Sequence, residues 1–130
     1  MKSDGAIKTD VYRYINASGF MNNVNGKLSK TMRPHNSRKE DVVISILANE
    51  GTQLQTAIVN VNIYIQDQDV DGQFEENTVR LEKICKKAWN LLEMFRTDDY
   101  VVHAIEQRVY ATESGEHVIN NQVEYKLIND

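Results

Sequence analysis

Hydrophobic and polar positions alternate most regularly over residues 55–66, Gln-Thr-Ala-Ile-Val-Asn-Val-Asn-Ile-Tyr-Ile-Gln. Ala57, Val59, Val61, Ile63 and Ile65 fall on one side of the pattern, and Ile58, Asn60, Asn62 and Tyr64 on the other. Period-two apolarity rich in β-branched residues predicts a long strand with one buried face. A helix would scatter Val59, Val61 and Ile63 around its axis. Buried amides without partners are costly, so the face carrying Asn60 and Asn62 is either solvated or matched by another polar surface. Such a strand needs a neighbour on each edge.

The remaining pattern supplies those neighbours. Ile7, Val11, Tyr14 and Ile15 have the spacing of one helical face, predicting a first helix over about 5–18, capped by Asp4 and stopped by Gly19. Asn25-Gly26 reads as a tight turn, and residues 27–32 as a short strand. Polar residues 33–40 form a loop broken by Pro34. Residues 41–48 predict a strand with apolar residues on both faces, Val42, Ile44 and Ile46 against Val43 and Leu47, which marks a central position. Asn49-Glu50-Gly51 is a turn signal that makes this strand and 55–66 an antiparallel hairpin.

After an acidic segment, 67–76, a second helix runs from Asn77 or Thr78 to about residue 96. Leu81, Ile84, Cys85, Ala88, Leu91, Leu92 and Phe95 form its apolar stripe, with Trp89 beside it. Thr97-Asp98-Asp99 ends it; strands follow at 100–112 and 117–128, joined by Ser114-Gly115-Glu116. The class expected is α+β: a mostly antiparallel, four- to five-stranded sheet with two helices packed on one face. The 130 residues suit a single domain, with an N-terminal helix in 1–19, strands in 27–66, a helix in 77–96 and a C-terminal hairpin in 100–128.

Composition adds bounds. Hydrophobic residues make up 41% and charged residues 26%, ordinary for a globular chain, and the net charge of −4 weighs against wrapping nucleic acid. No apolar run approaches the roughly 20 residues of a membrane span, and the first five residues have no apolar signal segment. The one cysteine, Cys85, has no internal disulfide partner, which fits a reducing cytoplasm.

Candidate chemistry is sparse. Asp67-Gln68-Asp69-Val70-Asp71-Gly72 matches the first half of an EF-hand loop, including its glycine. The twelfth position is Thr78 where a bidentate Glu is required, and a strand precedes the segment. A weak cation site using Asp67, Asp69, Asp71 and Glu75 is therefore the alternative to a solvated loop whose acids favour a helix N-terminus. Lys27, Lys30, Arg33, Arg38 and Lys39 place five cations in thirteen residues, beside His35. They lack the interleaved aromatics of a base-stacking surface and read first as a solvated loop, then as an interface with an acidic partner, then as a DNA contact. The acidic segment of a second copy would be such a partner. His35, His103 and His117 lack metal-ligand spacing, and Cys85 lies on an apolar stripe as a structural thiol. No nucleophile elbow and no glycine-rich phosphate loop occurs, so no enzyme, cofactor or dedicated metal site is expected.

Four stretches carry a resemblance: KTMRPHNSRKEDVVISIL (Lys30 to Leu47), QTAIVNVNIYIQD (Gln55 to Asp67), ENTVRLEKIC (Glu76 to Cys85) and HVINNQVEY (His117 to Tyr125). Over roughly residues 28–130 the chain resembles small tail-completion or tail-terminator (head–tail joining) proteins of tailed phages and prophages. The resemblance implies an α+β fold and a structural role in the virion, with assembly in the bacterial host cytoplasm. It implies a ring homo-oligomer, often a hexamer, that meets other tail or connector proteins and passes DNA without reading its sequence. Interface residues expected on this basis are Arg33, Arg38 and Lys39 on the basic loop, Asn60, Asn62 and Tyr64 on the polar sheet face, and Asp67, Asp69 and Asp71 on the acidic segment.

Overall fold

The computed structural model describes residues 1–51 and 55–128. Its elements are α1 (Asp4–Ser18), β1 (Leu28–Lys30), β2 (Val42–Glu50), β3 (Thr56–Gln66), β4 (Gln68–Val70), β5 (Gln73–Glu75), α2 (Thr78–Leu92), β6 (Met94–Arg96), β7 (Tyr100–Ala111) and β8 (Glu116–Leu127), with one 3-10 turn at Phe20–Asn23. The class is α+β. The main sheet has six strands in the order β1-β2-β3-β8-β7-β6, where four or five were expected. It is mixed, because β1 pairs parallel with β2 while the other neighbours are antiparallel.

β3 occupies the middle, as its alternation requires. Every second residue from Ala57 to Ile65 is buried, and the intervening residues are half-buried. It pairs with β2 on one edge and, along its whole length, with β8 on the other, Val59 opposite Val123 and Ile63 opposite Ile119. The helices lie over this apolar face. Ile7, Val11 and Ile15 of α1 and Leu81, Ile84, Ala88 and Leu92 of α2 enter one core with it. Burying each such aliphatic side chain contributes about 1.5–3 kcal/mol before chain entropy is counted.

Four expectations change. Ser3, not Asp4, caps α1: its hydroxyl accepts from the Ala6 amide at 3.2 Å, and Asp4 is the first helical residue. Both residue types cap well, and a one-residue offset is invisible to propensity. Asn49 and Glu50 extend β2 instead of turning, past a bulge between Ile46 and Ala48 that leaves Leu47 58% exposed. α2 ends at Leu92, and Met94–Arg96 form the edge strand β6 against Val101–His103. Phe95 is buried in either conformation, so helical and strand periods both accommodate it; as a strand residue it stacks on Tyr14 with ring centroids 3.5 Å apart. Residues 67–76 are not a loop but mainly the two-stranded ribbon β4–β5.

Gly26 is set by close approach. A Cβ there would lie 2.4 Å from the Glu40 carbonyl, where Asn25 exchanges hydrogen bonds with Glu40. One buried amide also interrupts the apolar face. Asn121 is 1% exposed; it donates to the Val61 carbonyl at 3.1 Å and accepts from Gln107 at 2.7 Å, and Gln107 also donates to the Cys85 carbonyl of α2. Asn121→Ala should destabilise the fold by about 1–3 kcal/mol in urea denaturation, because the partners lose hydrogen bonds and a small void opens. An effect within about 0.5 kcal/mol of zero, the scatter of ordinary surface changes, would show that the amide is dispensable.

Candidate functional site

Arg33, Tyr64 and Asp67 come together at one end of the sheet, where β2 and β8 begin and β3 ends, whereas Asn60 lies midway along β3. The basic loop folds back over that end instead of presenting all its charge. Arg33 donates from Nε to Asp41 Oδ2, from Nη1 to Glu116 Oε1 and from Nη2 to the Lys39 carbonyl, each at 2.7 Å. Its guanidinium lies 4.0 Å from the Tyr64 ring centre. Arg33 and Tyr64 are thus committed to this chain's own clasp. Arg38 and Lys39 remain exposed, as do Lys27 and Lys30.

The carboxylates of the clasp are buried, Asp41 to 1% and Glu116 to 4% exposure. Glu116 also accepts from Gln66 at 2.6 Å, and Asp41 from Ser37 and from the Lys27 amide. Burial by itself would raise the Asp41 carboxyl; the hydrogen bonds from Arg33, Ser37 and Lys27, with the Arg33 charge, outweigh it and hold the group below its ordinary value. The guanidinium is conversely held above its ordinary value: burial pulls it down, and Glu116 and Asp41 more than compensate. Two carboxylates around one arginine, all hydrogen-bonded, form a structural staple joining loop, sheet edge and the β7–β8 turn.

The acidic segment is an arm. Asp71 and Gly72 both have positive φ, 53° and 83°, the signature of a two-residue type I′ turn in which an Asp-Gly pair is favoured. All six strand residues of the arm are exposed, Phe74 to 69% and Val70 to 42%. His117 holds its root: Nδ1 is 2.6 Å from Asp67 Oδ1, just before β4, and Nε2 is 3.6 Å from Glu76 Oε2, just after β5. The acids do not converge. Asp67 faces His117, Asp69 accepts from the Gly72 amide at 2.8 Å, and Asp71 sits in the turn. Among the described residues no group of three or more His, Cys, Asp and Glu side chains could hold a metal ion.

Asn60 and Asn62 lie on the sheet face away from the helices, as the alternation predicted. Asn120 of β8 donates to both, at 3.2 and 2.7 Å, giving a neutral amide array half-open to water. The sequence did not single out Asp41, Glu116 or His117 as a set. Their signal is only tertiary, since Arg33 and Glu116 are 83 residues apart. Cys85 is partly exposed on α2, and burial pushes its thiol up, away from the reactive thiolate.

Compared with known proteins, the chain matches no protein-family model and no curated protein sequence. No helix of the described residues is long and apolar enough to cross a membrane.

Two outcomes follow from this geometry. Because the folded Asp41 carboxyl is depressed, its contribution is fully present above the unfolded-chain value of about 3.9 and is lost as pH falls through the lower folded value. The stability gap between the parent and Asp41→Asn, followed by thermal melting, should be wide at pH 6 and close towards pH 3; a constant gap would remove the charged clasp from the account. His117→Ala should free the root of the arm, speeding amide exchange across 68–75 and lowering stability by about 1–2 kcal/mol. Unchanged exchange would show that the arm is ordered by something other than His117.

Proposed function

We propose that this chain is a structural protein of a phage tail, acting at the tail end or the head–tail junction as a ring of identical subunits and carrying out no reaction. The observation that carries the reading is the arm, β4–β5, which exposes Phe74 and Val70 together with Asp69, Asp71 and Glu75. A two-stranded ribbon in water is marginal by itself, and an exposed apolar side chain at its tip region is better explained by a surface that receives it. The resemblance of residues 28–130 to tail-completion and tail-terminator proteins supplies the setting. The α+β fold agrees with what that resemblance implies.

In this reading the arm of one subunit meets the exposed cations Lys27, Lys30, Arg38 and Lys39 of the next. Arm and receiving surface are different patches, so the contact is head-to-tail and closes into a ring when the rotation per subunit divides a full turn. Asn60 and Asn62 offer an uncharged polar face to a neighbour or to passing DNA, and tail-tube or connector proteins are the further partners. Arg33 and Tyr64 act indirectly, by fixing the loop that carries Arg38 and Lys39.

Light scattering behind size exclusion, over a range of protein concentrations with and without calcium, tests this. A discrete mass of about six subunits is the expected assembled species, independent of calcium. Phe74→Ser and Glu75→Lys should each reduce it while leaving monomer stability within about 0.5 kcal/mol, since both side chains are exposed and neither lies in the Asp71-Gly72 turn. Assembly indifferent to these changes would sink the arm as the contact. Calcium-dependent stability with no assembly would favour a small cation-binding module instead.

A further inference from the structure

We propose that residues 105–109 of β7 form a second, two-fold contact, on which another copy of this chain adds its own β7 antiparallel, joining two six-stranded sheets into one. The outer edge of β7 is only partly used. β6 pairs with Val101, Val102 and His103, and the Ala104 amide donates to the Glu93 carbonyl at 3.1 Å. Beyond that, among the described residues, no strand pairs with this edge.

An open edge of this length is what natural sheets ordinarily suppress with proline, charge or cover. Here Ile105, Val109 and Tyr110 are 47%, 42% and 49% exposed, and no proline intervenes. The outer stretch of β2 differs. There the N-terminal segment lies alongside, with Asn49 donating to Asp4 at 2.6 Å and Gln55 donating to the Lys2 carbonyl at 2.7 Å.

The sequence of the β7 edge identifies the occupant. Directly opposed residues in an antiparallel pair share a face, so a two-fold axis normal to the sheet must pass through a residue. Centring it on Glu106 opposes Glu106 to its own copy, and centring it on Arg108 opposes two guanidinium groups; both registers are repulsive. Centring it on Gln107 sets Glu106 opposite Arg108 twice, Gln107 opposite Gln107, and Ile105 level with Val109 twice. The five residues Ile-Glu-Gln-Arg-Val are thus complementary to themselves read backwards. Glu106 and Arg108 already share the open face, 2.8 Å apart, and pair along β8 with Gln122 and Asn120. The register of β7 on β8 shifts between Ala104 and Glu106, a bulge that puts Ala104 and Tyr110 on opposite faces, so the seam is limited to the five residues Ile105–Val109. Two shallow depressions between α2 and β7 lie beside the seam, one reaching Gln107 and the other Val109.

This contact stands apart from the ring, because a two-fold contact closes on itself and cannot propagate one. Sedimentation equilibrium on the full chain, Glu106→Arg, Arg108→Glu and the double exchange tests it. The parent should show a dimer step, each single reversal should weaken that step about tenfold or more by opposing like charges, and the double exchange should restore it. Amide exchange over 105–109 in the parent should slow as concentration rises, a readout that does not depend on any variant folding. The proposal is overturned if the parent shows no dimer step, if the single reversals leave it unchanged, or if the double exchange fails to rescue it. A ring mass that stays the same in all four proteins is expected, because the ring uses other surfaces; a ring without any dimer step overturns the β7 seam and leaves the ring reading intact.

Discussion

The structure depends on one-sided burial along β3. Its five inward residues are covered by two helices, and their register with β8 is continuous from Thr56–Lys126 to Gln66–Glu116. A slip of one residue would turn Asn60, Asn62 and Tyr64 into the core and expose every valine and isoleucine of the inward set. That constraint fixes β2 and β8 beside β3 and leaves the opposite face polar. The helices need only an amphipathic stripe to cover what remains.

Polar groups then secure the ends that apolar packing does not define. Arg33 ties the 31–41 loop to Asp41 and Glu116, and Arg80 of α2 grips Glu40 through two hydrogen bonds at 2.8 and 2.7 Å while also reaching the Asn23 carbonyl. At the opposite end of the sheet, Asp10 of α1 accepts from Tyr125 and Lys2, both at 2.6 Å. Burial first, and then the Asp10 carboxylate, hold the Tyr125 hydroxyl protonated well above its ordinary range. These groups are nearly or partly buried and their hydrogen bonds are made, so their role is to position segments against one another. The charges still free to meet a partner are those outside these clasps.

Among the described residues, the arm and the outer edge of β7 are two surfaces without such closure. Each is a β-structure with exposed apolar residues, and the two proposed contacts rest on that exposure. They differ in symmetry. The arm and the basic loop are unlike patches suited to a cyclic assembly, whereas the β7 edge is complementary to itself.

By itself the sequence determined β3, both helices in outline, and the hairpin of β7 and β8, because a sustained period, two in β3 and near 3.6 in the helices, admits one secondary structure and one buried face, and Ser114-Gly115 marks the hairpin turn. It also determined the Gly19 end of α1 and the polar character of the Asn60–Asn62 face. Only the tertiary structure decided the short elements. β6 shares its apolar residue with a helical stripe, and the arm's three-residue strands are too short for a pattern. The parallel pairing of β1 with β2 depends on an edge that no local signal marks. The site was legible as charge but not as pairing. Arg33 looked as free as Arg38 until Asp41 and Glu116 were brought to it, and nothing along the chain places His117 beside Asp67. Long-range partners meet only when the sheet is assembled, and that is why their contacts cannot be read along the chain.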